Sequence, residues 1–311
     1  DPTERFVTAA LQAQPDAAQP TEVVDYVTRS GHADVMQARP KVGIPPEDFS
    51  LHVQDLARDT TLEVNLHQLP GAYDVPEYRQ EQDVTLDSSE AKRALYSYGP
   101  YWSPNGDHAV LVVRADDNKD RWIARLDPTT GNLTVLDRQH DEAWIGGPGI
   151  SAYGGPGTVG WMPGGERFYF QSEATGYSHL YTVDVATGET TQRTSGDFEI
   201  NEAHLSKDGS TWTLVSTKRS PQQRHVYRMP ADGGEMTRLT GPAGTYMPAP
   251  SPDPSNEQRL ALLFAEKTHP PELYLQDATA DTERTRVTES TTDAWNEYDW
   301  RMPELVHIEA S

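Results

Sequence analysis

Glu166 to Gly196 reads ERFYFQSEATGYSHLYTVDVATGETTQRTSG. The apolar residues predict three short strands: Phe168 to Ser172, His179 to Val185 and Thr190 to Thr194. Ala174-Thr175-Gly176 and Ala186-Thr187-Gly188-Glu189 predict the turns between them. Short alternating runs bounded by Gly, Thr and Asp form antiparallel hairpins, because those residues accept the backbone angles of a tight turn. Three strands of a possible four, followed by a similar unit, predict one blade of a β-propeller.

The unit recurs on both sides. Upstream, Tyr101-Trp102-Ser103-Pro104-Asn105-Gly106 opens a unit with strands predicted at 109–114, 122–126 and 133–136. Downstream, Leu205-Ser206-Lys207-Asp208-Gly209 opens a third, and Ser251-Pro252-Asp253 opens a fourth. Gly165 and Gly209 lie 44 residues apart, and Gly209 and Pro254 lie 45 apart. Such a period with four strands per unit is the repeat of a propeller. Phe49 to Leu56 and Leu62 to Leu66 add a partial unit. The expected fold is therefore all-β: a β-propeller of four-stranded antiparallel blades, about five of them visible, in a ring of about seven or eight. Residues 1–22, with Pro15 and Pro20, are expected to be irregular, 23–290 to form the propeller, and 291–311 to be a linker.

Composition narrows the function. The 311-residue chain has no cysteine, which excludes disulfides, thiolate catalysis and Cys-ligated zinc. Its net charge of −22, with only six lysines, excludes the basic surface that nucleic acid requires. No apolar run approaches the ~18 residues that span a bilayer. The chain begins at Asp1, which leaves room for an upstream targeting segment, and a periplasmic or secreted location is slightly favoured over a cytoplasmic one. No cofactor and no metal site is expected. The ten histidines form no His-Glu-x-x-His. Asp116, Asn118 and Asp120 have a calcium-loop spacing, but Arg121 stands where such a loop needs glycine, so the segment reads as a polar hairpin tip. His179, with Glu173 and Tyr177, reads as hairpin architecture.

One segment breaks the period. Asp141 to Gly160, DEAWIGGPGISAYGGPGTVG, has seven glycines in twenty residues and separates Gly106 from Gly165 by 59. A glycine-rich loop on a rigid blade can approach another surface closely. Its aromatics, Trp144 and Tyr153, are the candidate substrate-binding residues. No catalytic residue is assigned.

Leu136 to Gly146 (LDRQHDEAWIG), Ser172 to Ile200 and Ser220 to Gly241 (SPQQRHVYRMPADGGEMTRLTG), with Ala38 to Leu56 upstream, resemble the N-terminal propeller of the prolyl oligopeptidase family of serine peptidases, in its dipeptidyl peptidase IV-like branch. The resemblance covers most of 35–290. Trp300 to Ser311 resembles the strand leading into that family's α/β-hydrolase domain. It implies a non-catalytic propeller that gates peptides to a hydrolase domain beyond this sequence and contributes subsite contacts. The nucleophile elbow Gly-x-Ser-x-Gly is absent here; Gly176-Tyr177-Ser178-His179-Leu180 lacks its last glycine. No Glu-Glu pair is present to bind a substrate's free amine. The expected partners are a peptide, the hydrolase domain of the same parent chain and, as an option, a second copy in a homodimer. A stand-alone propeller acting as a binding scaffold is the alternative.

Overall fold

The computed structural model describes residues 1–13, 20–40, 48–74, 92–150, 155–249, 258–280, 282–306 and 308–309. They form two compact units, 1–145 and 146–311.

The first unit holds three sheets. β1 (Phe6–Ala13) pairs with β4 (Asp48–Asp55), which pairs with β5 (Thr60–Val64). β2 (Pro20–Asp25) and β3 (Asp34–Pro40) form a separate hairpin. β6 (Leu95–Trp102), β7 (Ala109–Ala115), β8 (Asp120–Leu126) and β9 (Leu133–His140) form a four-stranded meander. Ala-Val-Leu-Val-Val-Arg-Ala of β7 is buried along its whole length. Such a run marks a strand covered on both faces, as an interior blade strand must be. Leu51, Val53, Val64, Leu111, Val113 and Trp122 make its core.

The second unit repeats the four-stranded meander three times. β10 (Val159–Trp161) to β13 (Thr190–Gln192) enclose β11 (Arg167–Ser172) and β12 (His179–Asp184). β14 (Ile200–Leu205), β15 (Thr211–Ser216), β16 (His225–Pro230) and β17 (Thr237–Arg238) follow. β18 (Thr245–Ala249), β19 (Arg259–Glu266), β20 (His269–Asp277) and β21 (Thr285–Arg286) complete the series. Trp212, Leu180, Leu214 and Met229 fill the core between the first two of these blades.

The expected propeller of four-stranded blades is observed, with four full meanders and one three-stranded sheet among the described residues. One expectation is corrected. Residues 1–22 are not wholly irregular, because Phe6 to Ala13 pairs residue for residue with Asp55 to Asp48. The prolines that suggested a loop come after this run and interrupt none of its hydrogen bonds. Arg5 fixes the entry, donating from Nη2 to the buried Asp55 at 2.6 Å.

Turn chemistry repeats with the blades. Ser103 and Ser206 each donate a hydroxyl hydrogen bond into the turn, to Asn105 and Asp208. Each also accepts the backbone N–H of the next strand, from His108 and Thr211. Asp127 and Asp184 cap the next-but-one turn through Thr129 and Thr187.

A second repeat is buried. His179 and His225 head the third strands of two blades and are fully buried. Each Nδ1 meets a threonine hydroxyl fifteen residues on, Thr194 at 3.0 Å and Thr240 at 2.9 Å. Each threonine oxygen also accepts a backbone N–H, from Leu180 and Val226. His179 Nε2 faces the Gly196 carbonyl at 2.9 Å, which can only accept, so Nε2 carries the proton and Nδ1 receives the Thr194 hydroxyl. In the third blade Glu272 takes the histidine's place. It accepts from Thr288, whose oxygen accepts the Leu273 N–H at 2.9 Å.

This arrangement suits a neutral imidazole. Burial, with the charge of Arg238, pushes His225 down to about 4. A histidine kept neutral by the fold binds fewer protons than in the unfolded chain, so stability present near pH 7 is lost as pH falls from about 6.5 towards 4. The loss attributable to His225 is expected to be about 1–3 kcal/mol. Chemical denaturation between pH 7 and 4.5, wild type against His225→Gln, checks this. The variant should be less stable at pH 7 and should show a shallower acid dependence, and equal slopes would contradict the assignment.

Candidate functional site

The glycine-rich segment joins the two units, and each end is built differently. Its first residues leave β9 in a tight turn. Asp141 Oδ1 accepts the N–H groups of Ala143 and Trp144 at 2.7 and 3.0 Å, an arrangement that short carboxylate and amide side chains favour. The turn is tied to the β7–β8 hairpin tip. Asp141 N–H donates to the Lys119 carbonyl at 3.0 Å and Ile145 N–H to the Asn118 carbonyl at 2.7 Å; Lys119 Nζ donates to the Glu142 carbonyl. Ile145 is buried, while Trp144 is 71% exposed. The backbone is held and the indole is presented.

Behind the turn lies a charged network. Asp120 is buried and accepts from Arg93 at 2.6 Å and Arg138 at 2.8 Å, and Arg93 also reaches Asp117 at 2.6 Å. Burial alone would raise the Asp120 carboxyl, but hydrogen bonds from Arg138 and Arg93 outweigh it and hold it below the usual carboxylate range. The two guanidiniums lie 6.0 and 5.9 Å from the centre of the buried Trp122 ring. The side chains with calcium-loop spacing thus have protein partners: Asp116 accepts the Tyr96 hydroxyl, Asn118 accepts from Arg114, and Asp120 from Arg93 and Arg138. Beside it Arg121 is fully buried, and its desolvation pushes the guanidinium down to about 10.

In the second unit the segment sits on the end of the β11–β12 hairpin. The Pro148 carbonyl accepts the Ser178 hydroxyl at 2.7 Å and Gln171 Nε2 at 3.3 Å. Gln171 Nε2 also donates to the Ile200 carbonyl at 2.7 Å, and Glu199 accepts the Ser178 N–H at 2.6 Å. Gly149 has φ +68°, and a Cβ there would lie 1.9 Å from Gln171 Oε1. Glycine is therefore required by both conformation and space.

The candidate residues separate. Trp144 is described and exposed; Tyr153 lies outside the described residues. Gln171 and Ser178 seat the loop and Glu199 holds the Ser178 N–H; Gln171 and Glu199 were not singled out by the sequence, and Ser178 was considered there only as a nucleophile. Ser178 is buried with its hydroxyl proton given to a carbonyl, and His179 faces Thr194 and Gly196, so these neighbours are architecture and not a nucleophile with its base. Among the described residues no cluster of His, Asp or Glu could hold a metal ion, and no helix is long and apolar enough to cross a membrane. A polar cleft lined by Phe49, Glu63, His67 and Lys92 includes neither Trp144 nor any described residue of the glycine-rich segment.

Residues 7–272 match the family model of the dipeptidyl peptidase IV (DPP IV) N-terminal region. A probable dipeptidyl peptidase 4 of Aspergillus fumigatus is 25% identical over 200 residues, covering 62% of this chain and 24% of the fungal protein. The chain thus spans about a quarter of that relative's length. An uncharacterized protein of Agrobacterium fabrum is 26% identical over 188 residues, covering 49% of this chain and 61% of its own. The crystal structure of Porphyromonas gingivalis dipeptidyl peptidase 4 superposes with a TM-score of 0.63 at 18% identity, over 89% of this chain and 34% of that one. At that identity the likeness is one of fold.

The seat of the loop predicts a difference between two glycines. Gly176 has φ +91° with no atom within 4 Å of its virtual Cβ, whereas Gly149 adds the Gln171 contact. Alanine at either position incurs about 1 kcal/mol of left-handed strain. Gly149→Ala should lose a further ~1–3 kcal/mol from overpacking. Thermal unfolding of the two variants side by side checks this, and equal losses would mean that the loop is not seated on Gln171.

Proposed function

Since this chain belongs to the dipeptidyl peptidase IV N-terminal-region family, we propose that it is the propeller part of a serine peptidase and gates peptides towards a hydrolase domain of the same parent chain. Chemistry in such a parent is nucleophilic acyl transfer by a Ser-His-Asp triad. This sequence supplies no Gly-x-Ser-x-Gly, so its own contribution is access and contact. A rigid stack of blades excludes folded chains by size and admits extended or short peptides.

The observation that carries the contact role is Trp144: a large exposed aromatic on a turn whose backbone is pinned at both ends. An exposed indole on a fixed backbone offers apolar area with little ordering cost on binding. Trp144, with Tyr153 further along the same segment, is the proposed peptide-facing element. Asp141 and Glu142 are assigned to holding the turn and not to acid–base work, since Asp141 caps it and Glu142 pairs with His140.

A stand-alone binding scaffold is the second reading. It is favoured by the Agrobacterium relative, of which the match covers more than half. The two readings part on whether the reading frame around this chain continues into a segment with Gly-x-Ser-x-Gly.

The test uses the full-length product and a dipeptide-proline chromogenic substrate. Wild type should turn it over, and Trp144→Ala should raise KM about fivefold or more with kcat little changed, as loss of a binding contact does. An unchanged KM would remove Trp144 from the peptide face, and no turnover with an intact triad would remove the dipeptidyl assignment.

A further inference from the structure

His140, the last residue of β9, has a carboxylate on each ring nitrogen. Nδ1 lies 3.1 Å from Asp120 Oδ1, and Nε2 lies 3.1 Å from Glu142 Oε1. A carboxylate only accepts. Both contacts are hydrogen bonds only when both nitrogens carry protons, which is the imidazolium; a neutral ring can keep one.

The two carboxylates are unequal. Asp120 is 1% exposed and already fixed by Arg93 and Arg138. Glu142 is 69% exposed. When the ring loses a proton, the Glu142 bond is therefore the one that water replaces. Glu142 stands two residues before Trp144, inside the turn that begins at Asp141. We propose that His140 is a positioning residue, a clasp that as imidazolium draws the Trp144 turn onto the blade and as neutral imidazole slackens it, so that peptide affinity at this turn falls as pH rises. The consequence for peptide rests on the assignment of Trp144 to the peptide face; the clasp itself does not.

The charged groups around the ring come from several elements. Asp120 lies on β8, and Asp117 and Lys119 on the β7–β8 tip. Arg93 precedes β6, and Asp74 follows the 66–68 helical turn. Arg138 shares the strand, and Asp141 and Glu142 follow it. Arg93 and Arg138 are engaged by Asp117, Asp120 and Asp74, and Lys119 by the Glu142 carbonyl. The ring's nearest partners are thus anionic. The Glu142 hydrogen bond raises its pKa above the ordinary imidazole value, partial burial opposes, and the Asp120 charge adds to the rise.

The turn keeps its end anchors at Asp141 and Ile145 in either state, so the effect is graded. An exposed ion pair of this kind shifts a local equilibrium by about 1.5- to 5-fold. The chain labelled with 5-fluorotryptophan gives a ¹⁹F line for Trp144, assigned by its loss in Trp144→Phe. Between pH 5 and 9 that line should titrate with a midpoint above about 6.5. The titration should vanish in His140→Gln and move to lower pH in Glu142→Gln, a conservative change at an exposed site. A line indifferent to pH, a titration that persists in His140→Gln, or an unmoved midpoint in Glu142→Gln would each overturn the clasp. In the full-length product the dipeptide-proline KM should rise about 1.5- to 5-fold across the same step in wild type and not in His140→Gln. A fluorine titration without a KM step would uphold the clasp and overturn the peptide-face assignment of Trp144.

Discussion

The second unit depends on one buried polar contact made three times. Each third strand carries a buried residue that cannot be left without a hydrogen-bond partner: His179 and His225 at the heads of β12 and β16, and Glu272 within β20. A threonine leaving each fourth strand answers it, Thr194, Thr240 and Thr288, and its oxygen also takes a backbone N–H of the third strand. The fourth strands are short, two or three residues each, and their ladders alone hold them weakly. An unmade buried hydrogen bond costs about 1–3 kcal/mol, so the clamp fixes the outer strand more firmly than its length would. It also sets up the next blade: Phe198 packs edge-on against His179, and Tyr246 lies beside His225. In the first unit the head of the third strand, β8, carries the buried Asp120, which Arg93 and Arg138 answer.

Rigidity of that kind is what a presenting scaffold needs. The Trp144 turn is short and anchored to a hairpin tip whose Asp117 and Asp120 are paired with arginine. Gly149 lets the chain pass Gln171 where a Cβ would collide, and the neighbouring Pro148 carbonyl takes the Ser178 hydroxyl. The acidic surface fits the same role: the net charge of −22 keeps the chain soluble through self-repulsion and sets no trap for nucleic acid. Ser178, His179, Asp117 and Asp120 are all engaged in holding the fold.

Much of this was legible in the sequence. Strand alternation and Asn-Gly, Gly-Gly and Asp-Gly turns gave the blades, because both depend on local backbone geometry. The irregular reading of residues 1–22 missed β1, whose partner lies some forty residues away and leaves no local mark. The His–Thr clamp was half visible: His179 read as structural, but its partner is fixed by strand register across a hairpin, which periodicity alone does not supply. The glycine-rich insert pointed to Trp144 through composition. Its pinning to Asn118 and Lys119, and the carboxylates on His140, depend on strand register bringing the β7–β8 tip beside the end of β9, and no spacing rule encodes that meeting.

The central claim, that buried polar clamps hold the outer strands, is tested most directly by a double-mutant cycle on His225 and Thr240. His225→Gln, Thr240→Val and the double variant are compared by denaturant unfolding at pH 7. The clamp predicts a coupling of about 1–2 kcal/mol, with the double variant losing less than the sum of the two single variants. Strict additivity would show that the two side chains contribute separately and that the fourth strand is held by something else.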